Sequence, residues 1–110
     1  MDLKTLVASA LAAVESGDVE TIYSLVVIAL RELKQKAELT PIAVEAVLDE
    51  LVAEGYAIVY EEATLDFKRK YRKYMATDKI AAVAKPLPPT AQKVASMKYV
   101  TPAFYLLLNS

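Results

Sequence analysis

Between Asp2 and Glu54 the apolar residues recur at intervals of three and four, in three successive runs. That period places them on one face of a helix, so the first half of the chain predicts three amphipathic helices packed face to face. In the first, over residues 2–16, Leu3, Leu6, Val7, Ala10, Leu11 and Val14 form the stripe. Gly17 is placed to stop it, and Asp18 to cap the next. The second, over residues 19–36, carries Ile22, Leu25, Val26, Ala29, Leu30 and Leu33, with its first turns apolar on most sides; it is expected at the centre of the core. Thr40-Pro41 opens the third. A threonine hydroxyl can take an N–H of the first turn, and proline at the first helical position lacks an N–H that would be unpaired there anyway. This helix runs to about Glu54 with Val44, Val47, Leu48 and Leu51 inward, and Gly55 supplies the left-handed stop.

The second half reads differently. Residues 56–60, YAIVY, are aromatic and β-branched and predict a strand. A lone strand is unstable, so a partner is expected in a short hairpin that turns over residues 61–64 and whose second strand begins near Leu65. The stretch DFKRKYRKY, residues 66–74, fits two descriptions. As a helix it places Phe67, Tyr71, Tyr74 and Met75 on one stripe and the cations on the other; as a strand it places Leu65, Phe67, Arg69, Tyr71 and Lys73 on one face. The helical pattern fits slightly better, whereas strand pairing favours the hairpin. A short helix is expected over residues 77–84, an extended connector over 86–89, and a further helix capped by Thr90. The apolar end, Phe104, Tyr105, Leu106, Leu107 and Leu108, predicts packing on the body or on a second copy. At 110 residues the chain has the length of one domain, with a helical core over about 18–76 and an extension over 77–110. The fold class is thus mainly α with a small β-hairpin: a three-helix core plus a C-terminal helix.

Composition removes several chemistries. There is no cysteine and no histidine, which takes away disulfides, thiolate catalysis and the usual zinc ligands. No serine has a histidine to activate it, and neither glycine sits in a phosphate-binding loop pattern. Asp49, Glu50 and Glu54 share one helix, a grouping that reads as solubilising and not as a magnesium site. No enzyme activity, cofactor or metal is expected. The longest apolar run, Val19 to Leu30, is well short of the roughly 20 residues that span a bilayer, and the N-terminus lacks the pattern of a signal peptide. A cytoplasmic protein without a membrane partner is the expectation.

Charge is distributed unevenly. Residues 1–65 hold 4 Lys/Arg and 12 Asp/Glu, net −8, whereas residues 66–110 hold 9 Lys/Arg and 2 Asp/Glu, net +7. Lys68, Arg69, Lys70, Arg72 and Lys73, with Tyr71 among them, are candidate contacts to nucleic-acid phosphates. Tyr71 or Tyr74 could also stack on an unpaired base, and Lys79, Lys85, Lys93 and Lys98 would extend the patch if the fold gathered them. The competing reading is a solvated face whose charges answer the acidic half, within the chain or across a dimer, with Phe67, Tyr71 and Tyr74 as core or edge-strand residues.

The segment from Ala43 to Glu61, AVEAVLDELVAEGYAIVYE, resembles the passage of winged-helix DNA-binding domains from recognition helix to first wing strand. The likeness rests on Leu48-x-x-Leu51-x-x-x-Gly55 and the aromatic-aliphatic strand after it, and spans about residues 20–75. It implies a small transcriptional regulator that binds double-stranded DNA as a homodimer, often through a trailing helix. The third helix departs from that pattern: it carries Glu45, Asp49, Glu50 and Glu54 and no Lys or Arg, whereas base and phosphate contacts come mostly from basic and neutral polar groups. Nucleic-acid contact is therefore expected through the basic hairpin region. The alternative is an interaction or assembly subunit that binds no nucleic acid.

Overall fold

A computed structural model describes residues 2–35 and 38–97. The chain is mainly helical with a small antiparallel sheet. Its elements run α1 (Leu3–Val14), β1 (Ser16–Asp18), α2 (Val19–Glu32), α3 (Pro41–Ala53), β2 (Ala57–Ala63), β3 (Lys70–Ala76), a 3₁₀ turn (Asp78–Ala82) and α4 (Pro89–Ser96).

The three long helices form where apolar periodicity and capping chemistry coincide. Asp2 caps α1 by accepting from the Thr5 N–H at 2.7 Å, and Asp18 caps α2 by accepting from the Thr21 N–H at 2.8 Å. Thr40 caps α3, accepting from the Ala43 N–H at 3.2 Å, with Pro41 following it. Gly55 closes α3 at φ +84°, while the Tyr56 N–H reaches back to the Leu51 carbonyl at 2.9 Å.

Two helix ends differ from expectation. α1 stops at Val14 because Glu15, not Gly17, takes a positive φ, +68°, that leaves the helical path. The Glu15 carbonyl then accepts from the Ala76 N–H, which draws the chain into a third strand. Gly17 lies within that strand, opposite Tyr74. α2 ends at Glu32 and not Lys36, because Lys34 is left-handed at φ +55° and the Gln35 N–H turns back to the Leu30 carbonyl. The closing residues are Glu and Lys where glycine is the usual signal.

The core is the meeting of the inward stripes. Leu6, Val7 and Leu11 of α1, Ile22, Leu25 and Val26 of α2, and Val44, Leu48 and Leu51 of α3 are fully buried. α2 is central, packing against α1, α3 and α4. The sheet order is β1-β3-β2, with β3 in the middle. β2 pairs with β3 from Ala57 opposite Ala76 to Ala63 opposite Lys70, and β1 pairs Ser16 with Met75 and Asp18 with Lys73. Residues 70–76 are therefore strand, as the expected hairpin requires, and not the helix that their local pattern slightly favours. As a central strand β3 hydrogen-bonds neighbours on both sides, an option that a helix over these residues would deny to β1 and β2 alike. Side chains alternate along it: Tyr74 faces the helices and is wholly buried, while Tyr71, Lys73 and Met75 lie on the other face. β2 continues through Ala63, so the turn falls at residues 64–69 and the second strand starts at Lys70, not near Leu65.

α4 packs on α1 and α2, burying Ala91, Val94 and Ala95. Its cap is not Thr90. The helix starts at Pro89, and the carboxylate of Glu32, on the last turn of α2, accepts from the N–H groups of Thr90 at 3.0 Å and Ala91 at 2.6 Å. Burial pushes the Glu32 carboxyl up, but these two hydrogen bonds outweigh it and hold it below its ordinary value. The segment before α4 is anchored by Ile80 and Leu87 in the core and by the Lys85 N–H donating to the buried Ser9 hydroxyl at 2.8 Å. Lys98 and the apolar end from Phe104 to Leu108 lie outside the described residues.

Candidate functional site

The basic stretch is divided by its own strand register. Alternation along β3 sends Arg72 to the side of α3 and Tyr71 and Lys73 to the opposite face, while Lys68 and Arg69 sit in the turn and Lys70 at the first position of the strand.

On the helix side, the Arg72 guanidinium lies 3.0 Å from Asp49 Oδ1 and 3.7 Å from Glu45 Oε1, and 5.5 Å from the centre of the Tyr74 ring. Asp49 Oδ1 also accepts from the Tyr74 hydroxyl at 2.6 Å. Burial, then this bond to a carboxylate, drives the Tyr74 phenol far above its ordinary pKa. On the outer face, Glu62 accepts from Lys73 Nζ at 3.0 Å and from the Tyr71 hydroxyl at 2.8 Å, with the ammonium 5.7 Å from the centre of the Tyr71 ring. Hydrogen bonds from Lys73 and then Tyr71 hold the Glu62 carboxyl below its usual range, and Glu62 in turn holds Lys73 above its own. Arg72, Lys73 and Tyr71 are thus each engaged by a carboxylate of α3 or β2. Tyr74, offered by the sequence as a stacking ring, is closed to any ligand.

The acidic side chains of α3 are engaged as well. Glu45 and Asp49 hold Arg72, and Glu50 and Glu54 both bind Lys4 of α1. What α3 offers to solvent includes Ile42, 81% exposed near its N-terminus. Among the described residues, no group of three or more Asp, Glu, His or Cys side chains is arranged to hold a metal ion.

Lys68, Arg69 and Lys70 differ from Arg72 and Lys73 of the same stretch. All three are exposed, and none makes an ion pair among the described residues. Lys68 and Arg69 belong to a well-tied turn, and Lys70 opens β3 beside it. The Phe67 N–H donates to the Thr64 carbonyl at 2.9 Å, the Thr64 N–H to the Arg69 carbonyl at 2.9 Å, and the Arg69 N–H to Thr64 Oγ1 at 3.3 Å. Asp66 accepts from the Lys68 N–H at 3.0 Å and from the Thr64 hydroxyl, so its carboxylate is spent inside the turn. An open hollow of about 530 Å³ is lined by Thr64, Leu65, Asp66, Lys68 and Arg69.

The turn also carries two large apolar side chains in solvent, Leu65 fully exposed and Phe67 84% exposed. Phe67 is neither a core nor an edge-strand residue, as the competing reading had it. It occupies a left-handed position, φ +57°, where a bulky residue is a rarity. The turn's position, and with it the exposure of Phe67, depends on where β3 pairs; the sequence hint was Thr64-x-Asp66, a turn-forming pair. Lys79 is not gathered with the basic turn. It follows the far end of β3, a strand about 20 Å long at 3.3 Å per residue.

Comparison with protein-family models, curated proteins and solved structures gives no match to this chain.

Proposed function

We propose that the chain is a small winged-helix-type binding module that meets the phosphates of a nucleic acid through the turn of its β2–β3 hairpin, and not through α3. The observation that carries this reading is the run Lys68, Arg69 and Lys70: three consecutive exposed cations, without ion-pair partners among the described residues, the first two on a turn held by its own hydrogen bonds and the third opening β3. The order of three helices followed by a hairpin supports it, being the order of winged-helix domains. Preorganisation matters because cations already in place lose little freedom on binding. Arg72 and Lys73 act as scaffold in this reading, tying the hairpin to α3 and β2 to itself. Dimer formation and a role in transcription belong to the same proposal, in the cytoplasm, with no enzyme activity.

The test is fluorescence anisotropy with labelled oligonucleotides across a salt series from about 50 to 200 mM. Three phosphate contacts predict a log–log salt slope of about −2 for single strands and somewhat below −2.5 for duplex. Joint replacement of Lys68, Arg69 and Lys70 by alanine should abolish most of that slope, while Lys93→Ala leaves it unchanged. Absence of salt-sensitive uptake by the wild-type chain in dilute buffer overturns the reading.

A second reading, an assembly subunit without nucleic-acid affinity, draws on the carboxylates that already engage Arg72 and Lys73 and on the exposed Ile42 of α3. It predicts an oligomer in sedimentation that is lost when residues 103–110 are removed. A monomer at all concentrations removes it.

A further inference from the structure

Resting on the phosphate-binding reading, we infer that the hairpin turn is a receptor for unpaired bases, with Phe67 as the stacking platform, so that the preferred ligand is single-stranded nucleic acid and not intact duplex.

An aromatic ring held in solvent gives up the stabilisation that burial would bring, and Phe67 does so from a left-handed backbone position that glycine or asparagine would fill more readily. The turn's hydrogen bonds fix this arrangement: the Phe67 N–H is bound to the Thr64 carbonyl, and the next N–H is bound to Asp66. The ring is therefore presented on a rigid support. The same turn carries Leu65, fully exposed, and a hollow lined by Leu65, Lys68 and Arg69. Lys68, Arg69 and Lys70, without ion-pair partners among the described residues, follow directly in sequence. A π-face and adjacent cations are what a strand with free bases requires, since bases stack on the ring while the cations take the flanking phosphates.

The other aromatic groups of the hairpin cannot take this part. Tyr74 is buried, Tyr71 is bound to Glu62 with Lys73 against its ring, and the Tyr60 hydroxyl is hydrogen-bonded to Ser16 at 2.8 Å. An intact duplex offers no free base face to a ring outside it. A flat anionic surface fits less well than a strand. Glu61 and Glu62 pair across from Arg72 and Tyr71, within two residues of Lys70 along β3. A narrow strand can meet the turn alone.

The chain has no tryptophan, so Phe67→Trp introduces a single indole reporter at the proposed platform. Titration with unlabelled oligo-dT should quench that indole to saturation, whereas a blunt duplex of equal length should quench it little. In anisotropy, Phe67→Ala should weaken single-strand binding about tenfold, in the range of one lost base stack, and leave the salt slope unchanged. Phe67→Trp should restore affinity. Because Phe67 is exposed, folding of both variants is checked by circular dichroism and is expected to be intact. Unchanged affinity in Phe67→Ala, or equal quenching by duplex, overturns the inference while leaving phosphate contact by Lys68, Arg69 and Lys70 standing. No wild-type binding at low salt overturns both. A blue-shifted indole with phosphatidylserine vesicles, with no response to oligonucleotide, also overturns both and assigns the turn to a lipid surface.

Discussion

Removing the Asp49 carboxylate tests how the hairpin is fastened to the helices. One oxygen, Asp49 Oδ1, accepts from the Tyr74 hydroxyl at 2.6 Å and from Arg72 at 3.0 Å. The two bonds differ in weight. Arg72 and Asp49 are both nearly half exposed, and such an ion pair contributes about 0–1 kcal/mol; Arg72 also keeps Glu45. Tyr74 is wholly buried, so a hydroxyl left without its acceptor costs about 1–3 kcal/mol. Asp49→Ala should therefore destabilise by about 2–3 kcal/mol, whereas Asp49→Asn, which keeps an acceptor oxygen for the phenol, should lose about 1 kcal/mol or less. At roughly 4 °C per kcal/mol for a chain of this size, the two variants should separate by several degrees in Tm. Urea unfolding followed by circular dichroism reads the difference directly. In a double-mutant cycle with Tyr74→Phe, most of the Asp49→Ala loss should disappear, because the orphaned hydroxyl is gone. Equal losses for Asn and Ala, or a cycle with no coupling, would refute the assignment of Asp49 as the acceptor that lets Tyr74 be buried.

The remaining predictions concern other parts of the chain. Glu32→Ala should destabilise by about 1 kcal/mol through loss of the cap on α4, with Glu32→Gln losing less; because the Glu32 pKa is depressed in the folded state, its contribution is complete above the ordinary Glu value of about 4.3 and fades as pH falls below it, which acid titration of wild type against Glu32→Gln will show. The Tyr74 pKa is raised, so its contribution is complete below the ordinary tyrosine value of about 10 and is lost as pH rises beyond it; the stability gap between wild type and Tyr74→Phe should narrow on the alkaline side in denaturant melts. Leu48→Ala, in the buried stripe of α3, should cost about 2–5 kcal/mol by chemical denaturation. Phe67→Gly should raise stability by about 1 kcal/mol, since it removes a left-handed bulky residue that makes no buried contact.

Some of the site was legible before the fold and some was not. The exposure of Lys68, Arg69 and Lys70 was anticipated from their charge, as was the possibility that acidic groups of the same chain would answer part of the cluster. Which cations are answered was not legible: Arg72 meets Asp49 and Glu45 across more than twenty residues, and only strand alternation turns it toward α3 while turning Lys73 toward Glu62. A helical stripe joins Phe67 to Tyr71 and Tyr74, and the competing solvated-face reading places all three in the core or on an edge strand. Once β3 begins at Lys70, Phe67 falls in the turn and has nothing to pack against.

By itself the sequence determined the three long helices, their inward stripes apart from Leu33, which lies past the end of α2 and is exposed, the caps at Asp18 and Thr40-Pro41, and the stop at Gly55. Each is fixed by residues within one or two turns of one another, where side-chain period and backbone hydrogen bonding act locally. Tertiary structure alone decided that the hairpin's second strand begins at Lys70, that Ser16–Asp18 form a third strand, and that Arg72 and Lys73 are paired with carboxylates while Lys68, Arg69 and Lys70 have no ion pair among the described residues. Those outcomes rest on partners distant in the chain, Ser16 with Met75 and Asp49 with Arg72 and Tyr74, and no local pattern specifies a partner that only the closed fold supplies.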